Sequence, residues 1–255
     1  MSEAETFDAQ PEKAATVVDL STMVFHHYRN QDYRNQAVAR ETIYADSRPI
    51  EQQLAELGFY DLKNQCATHA GVLLFGKNPR YFIPGAYVQY LHIQGTELTD
   101  EIFEEAEIDG DLLTVLQQLY MRIKLLLRSR PRPISALREQ PIYDYPRDAI
   151  RELLMNAVMH RDYHSNAPIR WTCFTDRIEI QSPGGLYGSM TPEQLGTACD
   201  YRNPVIAEAM KTMGFVYNFA EGIKIAKHAL AKNGSPDCKL TIDGDYFLAT
   251  IYKRN

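Results

Sequence analysis

The chain lacks any uninterrupted apolar run near the roughly 20 residues that a membrane-crossing helix needs, so no helical span is expected. Its N-terminus, MSEAETFDAQPEKAATVVDL, lacks the basic-then-apolar order of a signal peptide, which points to a cytoplasmic protein. Cysteine is scarce: Cys66, Cys173, Cys199 and Cys238 lie far apart with no CxxC pair, which argues against a zinc ribbon and for free buried thiols in a reducing compartment. Positive charge is not in excess. Lys and Arg number 27 against 33 Asp and Glu, a net charge of −6 that disfavours a globally basic nucleic-acid binder but leaves room for a local basic patch. Internal repeats and low-complexity tracts are also missing. What remains is ordinary globular composition, 45% hydrophobic and 24% charged over 255 residues, enough for one large domain or two small ones.

The pattern divides the chain into an acidic lead-in over 1–16, expected to be frayed, a mixed region over 17–135 and a richer region over 136–255. Val17–Asn35 is compatible with a helix, and its paired His26 and His27 lack a third partner at metal-ligand spacing. Ile50–Leu57 reads as a helix stopped by Gly58, Ala70–Phe75 as a short apolar run, Tyr87–Ile93 as a strand and Leu112–Leu127 as an amphipathic helix. Arg128–Ser135, RSRPRPIS, reads as a solvated basic linker. A helix then begins near Pro146 and ends near His160, followed by strands at Ile169–Thr175 and Arg177–Gln181 joined by a tight turn. Further helices are expected at Pro192–Gly196, Pro204–Met213 and Gly222–Ala231, and a closing hairpin at Asp243–Gly244.

The helix ending at His160 carries two stripes. Ile150, Leu153, Leu154, Ala157 and Val158 form an apolar face. Asp148, Glu152, Asn156 and His160 follow one another at four-residue steps, so a carboxylate, a carboxamide and an imidazole point into one space. A solvated polar face is the plain alternative. Against it stand Asn, a poor helix former, and the dense polar cluster His160-Arg161-Asp162-Tyr163 into which the helix runs.

Three ordered blocks, REL..NAV.HRDY (Arg151–Tyr163), DRIEIQSPGGL (Asp176–Leu186) and RNP.IA (Arg202–Ala207), together resemble the ATP-binding domain of RecG-like putative regulators, relatives of the GHKL ATPases. Upstream, His69–Gly95 resembles the region preceding that domain in the same proteins. The resemblance implies an α/β fold: a two-layer α/β sandwich of GHKL (Bergerat) type preceded by a smaller α+β region. It also implies ATP and Mg²⁺ as ligands, a homodimer, and a switch role in regulation or defence. A DNA-binding domain of the Schlafen AlbA type often precedes such regions, and no such block is found in this sequence.

By the same resemblance, Glu152 stands where the family places a general base, and Asn156 where its amide oxygen holds Mg²⁺. His160 and Arg161 would lie near the nucleotide, with helix closure an equal account of His160 and Asp162. Gly184 and Gly185 stand at the loop under the adenine, here without the usual aspartate. Arg202 is placed to reach a phosphate, while Asn203 and Pro204 suit a helix cap. Gly222 opens the helix after the lid. Here that turn reads Phe219-Ala220-Glu221-Gly222-Ile223, so Ala220 replaces a glycine and Glu221 brings negative charge toward the phosphates. Two other readings follow. One is a degenerate scaffold that binds protein or nucleic acid without hydrolysis. The other is a DNA-associated regulator using the basic segment Arg122–Arg138.

Overall fold

In a computed structural model that describes residues 6–35, 46–127, 129–135, 138–195, 200–216 and 221–254, the alternating run at 177–181 becomes part of an inner strand of a six-stranded sheet. The strands in chain order are β1 (Tyr60–Asp61), β2 (Cys66–Ala67), β3 (Val88–Ile93), β4 (Ile102–Ile108), β5 (Ser129–Ser135), β6 (Arg138–Tyr143), β7 (Ile169–Cys173), β8 (Arg177–Pro183), β9 (Lys239–Ile242) and β10 (Tyr246–Tyr252). The helices are α1 (Thr22–Asn35), α2 (Ile50–Glu56), α3 (His69–Phe75), α4 (Pro79–Phe82), α5 (Leu112–Leu126), α6 (Arg147–His160), α7 (Pro204–Thr212) and α8 (Gly222–Asn233). The main sheet has the order β4-β3-β7-β8-β10-β9, antiparallel except for the parallel pair β3 and β7. A parallel pair needs a long crossover, and α5 and α6 lie within it.

Period-two alternation decides the two faces of the sheet. Tyr90, Trp171, Ile180, Ala249 and Leu240 are register partners in one row across five strands, and the first four are buried. The next row holds Leu91, Thr172, Glu179, Thr250 and Lys239 and turns the other way. α6 packs on the apolar side against α5, α8 and β8, giving a two-layer α/β sandwich with a smaller α+β region before it. Most of α6 is buried, from Ala149 to Met159; of its polar stripe Asp148 is exposed, Glu152 is buried, and Asn156 and His160 are half-buried.

Several elements depart from the sequence reading for identifiable reasons. Arg128–Ser135 is not an irregular linker: Ser129–Ser135 pairs with Arg138–Tyr143 as a separate two-stranded ribbon. The boundary drawn between 135 and 136 passes through this ribbon, and both sides of it contribute strands to the main sheet. β4, IFEEAEI, carries acidic residues that disfavour strands, but it is an edge strand whose Glu104 and Glu107 meet Arg122 and Arg80, both at 2.6 Å. The apolar run at 70–75 is helical because Thr68 caps it, its hydroxyl accepting from the Gly71 N–H at 3.1 Å.

The expected frayed lead-in is packed from residue 6 onward. Asp8 is fully buried, and its carboxylate accepts from the Val205 N–H at 2.7 Å and the Ile206 N–H at 3.1 Å, capping α7 from far away in sequence. Asn203 occupies the N-cap position but gives no cap bond; its amide instead donates to the Met159 and Arg161 carbonyls at 3.0 and 2.8 Å. Asp8→Ala strips two buried helix N–H groups of their acceptor. We expect a loss of about 1–2 kcal/mol in urea unfolding. An unchanged midpoint would show that α7 is capped by other means.

Candidate functional site

The last two residues of the α6 polar stripe, Asn156 and His160, open onto a cleft. Its floor is apolar, with Leu153, Ile180, Phe247 and Ala249, and its polar groups come from Asn156, His160, Ser182 and Asp200. Gly184, Gly185 and Gly222 complete the rim. Apolar walls with a few convergent polar groups are the usual form of a small-molecule site.

Asn156 is held by its own helix. Its Nδ2 donates to the Glu152 carbonyl at 2.8 Å, which leaves the carboxamide oxygen as the acceptor available to a ligand. Glu152 is 9% exposed, and burial raises its carboxyl above the usual range against the pull of Arg151. One carboxylate oxygen pairs with Arg151, whose other arm donates to the Phe215 carbonyl at 2.5 Å. The other oxygen faces the start of α8, 3.3 Å from where a Cβ on Gly222 would stand. Glu152 is therefore not itself in the cleft wall but borders it beside Asn156 and Gly222.

His160 lines the cleft and stacks on Tyr201 with ring centroids 5.6 Å apart. Burial first, then the Arg202 charge, pulls its pKa down to about 4, so the imidazole is neutral at pH 7. The unfolded chain protonates near 6.5 and the folded one near 4. This contribution to stability is therefore complete above pH 6.5 and is lost as the pH falls through that window. We expect His160→Gln to flatten the pH dependence of the unfolding free energy between pH 6.5 and 4 by an amount on the order of 3 kcal/mol. Parallel wild-type and mutant curves would refute this.

Arg161 is turned away from the cleft. Its guanidinium donates to the Ser165 and Ala167 carbonyls, both at 2.7 Å, and lines a different recess. Arg202 braces the glycine turn rather than projecting into the cleft: it donates to the Gly185 carbonyl at 3.1 Å, stands 3.7 Å from Asp162 and lies over the Tyr187 ring. The two glycines are demanded by neighbouring protein. Gly184 has φ of +91°, and a Cβ there would sit 2.9 Å from Asp162; on Gly185 it would sit 2.5 Å from the Asp243 carbonyl. Ala220 lies outside the described residues, as do Cys199, Gly196 and Phe219. Glu221 sits at the N-cap of α8 and makes no side-chain cap bond.

Tyr187, Asp200 and Phe247 belong to the cleft and escaped the sequence reading. Asp200 accepts from the Ser189 N–H at 3.0 Å and from the Ser189 hydroxyl at 3.2 Å. Asn156 offers a single oxygen to a cation, and the described residues contain no cluster of three or more His, Cys, Asp or Glu able to hold a metal. Such a donor set fits Mg²⁺ only when ligand phosphates and water fill the other positions.

Residues 166–251 match the family described as "Putative ATP-dependent DNA helicase recG C-terminal". These residues carry a GHKL-like ATP-binding domain of the RecG-like type. The matched span includes β7 to β10 with Gly184, Gly185, Arg202 and Gly222, while Glu152, Asn156, His160 and Arg161 precede it. The whole fold is similar to the crystal structure of the DIP2311 protein from Corynebacterium diphtheriae. That likeness has a TM-score of 0.74 and 19% identity over 99% of this chain and 48% of that one. The chain thus spans about half the length of that protein. No curated protein matches the chain. Among the described residues no helix is long and apolar enough to cross a membrane.

Proposed function

We propose that the cleft binds ATP with Mg²⁺ and hydrolyses it slowly, the turnover serving as a conformational switch in a cytoplasmic regulatory or defence system. The observation that carries this reading is the convergence of Asn156, His160, Gly184, Gly185 and Gly222 on one cleft with an apolar floor, bordered by the buried Glu152. The apolar floor suits a purine ring, and Asn156 is the residue that would hold Mg²⁺ against the phosphates, where the cation would neutralise their charge. Glu152 is the group to accept a proton from water, its raised carboxyl closer to neutrality than a free carboxylate. A homodimer, and a DNA or protein partner reached through a separate AlbA-type domain, are part of the same reading by family resemblance.

One observation favours the second reading, a scaffold without turnover. Glu221 stands at the head of α8, where a helix N-terminus would otherwise attract phosphate. Titration of the purified chain with ATP and GTP, each with Mg²⁺ and with EDTA, separates the two. The switch reading expects saturable binding of ATP over GTP, and no binding would overturn it. Asn156→Ala is expected to weaken ATP binding about tenfold with Mg²⁺ and much less with EDTA. A drop in melting temperature with no Mg²⁺-specific change in affinity would reduce Asn156 to a structural hydrogen bond.

A further inference from the structure

We propose that residues 6–12 form a strap that positions one wall of the cleft, with Phe7 and Asp8 as its two anchors. The strap lies on the start of α3. The Phe7 ring stacks on His69 with centroids 4.0 Å apart. The His69 Nδ1 lies 2.8 Å from the Phe7 carbonyl, and its Nε2 lies 3.4 Å from Glu12. The His69 N–H donates to the Gln10 carbonyl at 2.9 Å, and the Glu12 N–H donates to that of Ala67 at 2.8 Å. Asp8 is fully buried. One of its carboxylate oxygens accepts from the Thr6 hydroxyl at 2.6 Å, and the other accepts from both helix N–H groups at the start of α7.

The two anchors lead to the same place. Val205 and Ile206, held by Asp8, follow residues 200–203, and each of those four touches the cleft or its frame. Asp200 lines the cleft and Tyr201 stacks on His160. Arg202 donates to the Gly185 carbonyl, and Asn203 holds the Met159 and Arg161 carbonyls at the end of α6. Phe7 reaches the same residues by a second route. Its ring meets His164 at 4.4 Å, the His164 N–H donates to Asp162 at 3.0 Å, and Asp162 stands 3.7 Å from Arg202. The Asp162 N–H also donates at 2.9 Å to the Pro183 carbonyl, one residue before the glycine turn. A cap supplied by residue 203 itself would stabilise α7 without involving the N-terminal segment. Asn203 gives no such bond, and Asp8, 197 positions from Val205, supplies it. The start of α7 and the wall ahead of it are thus held from outside, and release of the strap frees Arg202 and the glycine turn together.

Amide hydrogen exchange of the full chain without nucleotide reads the wall directly. Phe7→Ala and Asp8→Ala are each expected to speed exchange at 184–187 by at least about fivefold, with β4 at the far edge of the sheet unchanged. Titration of the same variants with Mg²⁺-ATP, which rests on the reading of the cleft given above, should raise Kd at least about fivefold. Phe7→Tyr keeps the ring and Asp8→Asn keeps an acceptor for the α7 N–H groups, so both should restore the wild-type values. A merely structural segment would lower the melting temperature, speed exchange evenly and leave the affinity of the folded protein alone. That result overturns the proposal, and so does unchanged exchange at 184–187. If the wild type binds no ATP, the nucleotide reading falls and the exchange difference alone decides the strap. Phe7→Ala carries the test if Asp8→Ala does not fold.

Discussion

Glu152→Ala is expected to lower ATP turnover by about 10²–10⁴-fold while nucleotide affinity changes little, because a base acts on water in the transition state and not on the bound ground state. The position supports the role. The carboxylate is almost wholly buried, sits one helical turn before Asn156 and has one oxygen toward Gly222 at the cleft edge. The competing explanation is structural: Glu152 holds Arg151, and Arg151 holds the Phe215 carbonyl ahead of the 217–220 segment. Glu152→Gln separates the two. Glutamine keeps an acceptor for Arg151 but cannot take a proton, so a catalytic Glu152 predicts the same collapse of turnover with a near-native melting temperature. Wild-type turnover in the glutamine variant would end the assignment of Glu152 as base.

How much of this was legible in the sequence follows from how local each signal is. α6 and the β9–β10 hairpin were readable because periodicity and an Asp-Gly turn act within a dozen residues. The spacing of Glu152, Asn156 and His160 likewise needed only helical geometry. The parallel pairing of β3 with β7 was not readable, because Val88 and Ile169 meet only after a crossover of some eighty residues. The capping of α7 by Asp8 spans 197 positions, and no local pattern announces it. β4 carries no local strand signal, because acidic residues disfavour strands and the Arg80 and Arg122 that meet Glu107 and Glu104 are brought beside them only by the fold. Arg161 went astray for a simpler reason. It follows His160 directly, and one further step of about 100° around the helix axis separates the cleft from the recess. Asp200 and Tyr187 sit in irregular chain, where no periodicity marks a residue as facing inward.

Gly222→Ala is expected to destabilise the fold by about 1–3 kcal/mol and to weaken Mg²⁺-ATP binding by about tenfold or more. Helix propensity alone predicts the reverse, since alanine in place of glycine stabilises a helix by up to about 1 kcal/mol. Packing decides the sign. A Cβ on Gly222 would overlap the Asn156 Nδ2 and reach 3.3 Å from the Glu152 Oε2. Relief requires either α8 to back away from α6 or the Asn156 carboxamide to leave its bond to the Glu152 carbonyl. Either movement displaces the oxygen assigned to Mg²⁺. Gly244→Ala is the matched control, because a Cβ in that turn meets nothing within 4 Å; it should leave stability within about 0.5 kcal/mol and affinity unchanged. Glu221→Thr, one residue before Gly222, completes the set. It removes a negative charge without adding bulk at the contact, so a phosphate-facing helix start predicts tighter ATP binding in Glu221→Thr and weaker binding in Gly222→Ala. A Gly222→Ala protein that loses stability but binds ATP as the wild type does would place the start of α8 outside the nucleotide site.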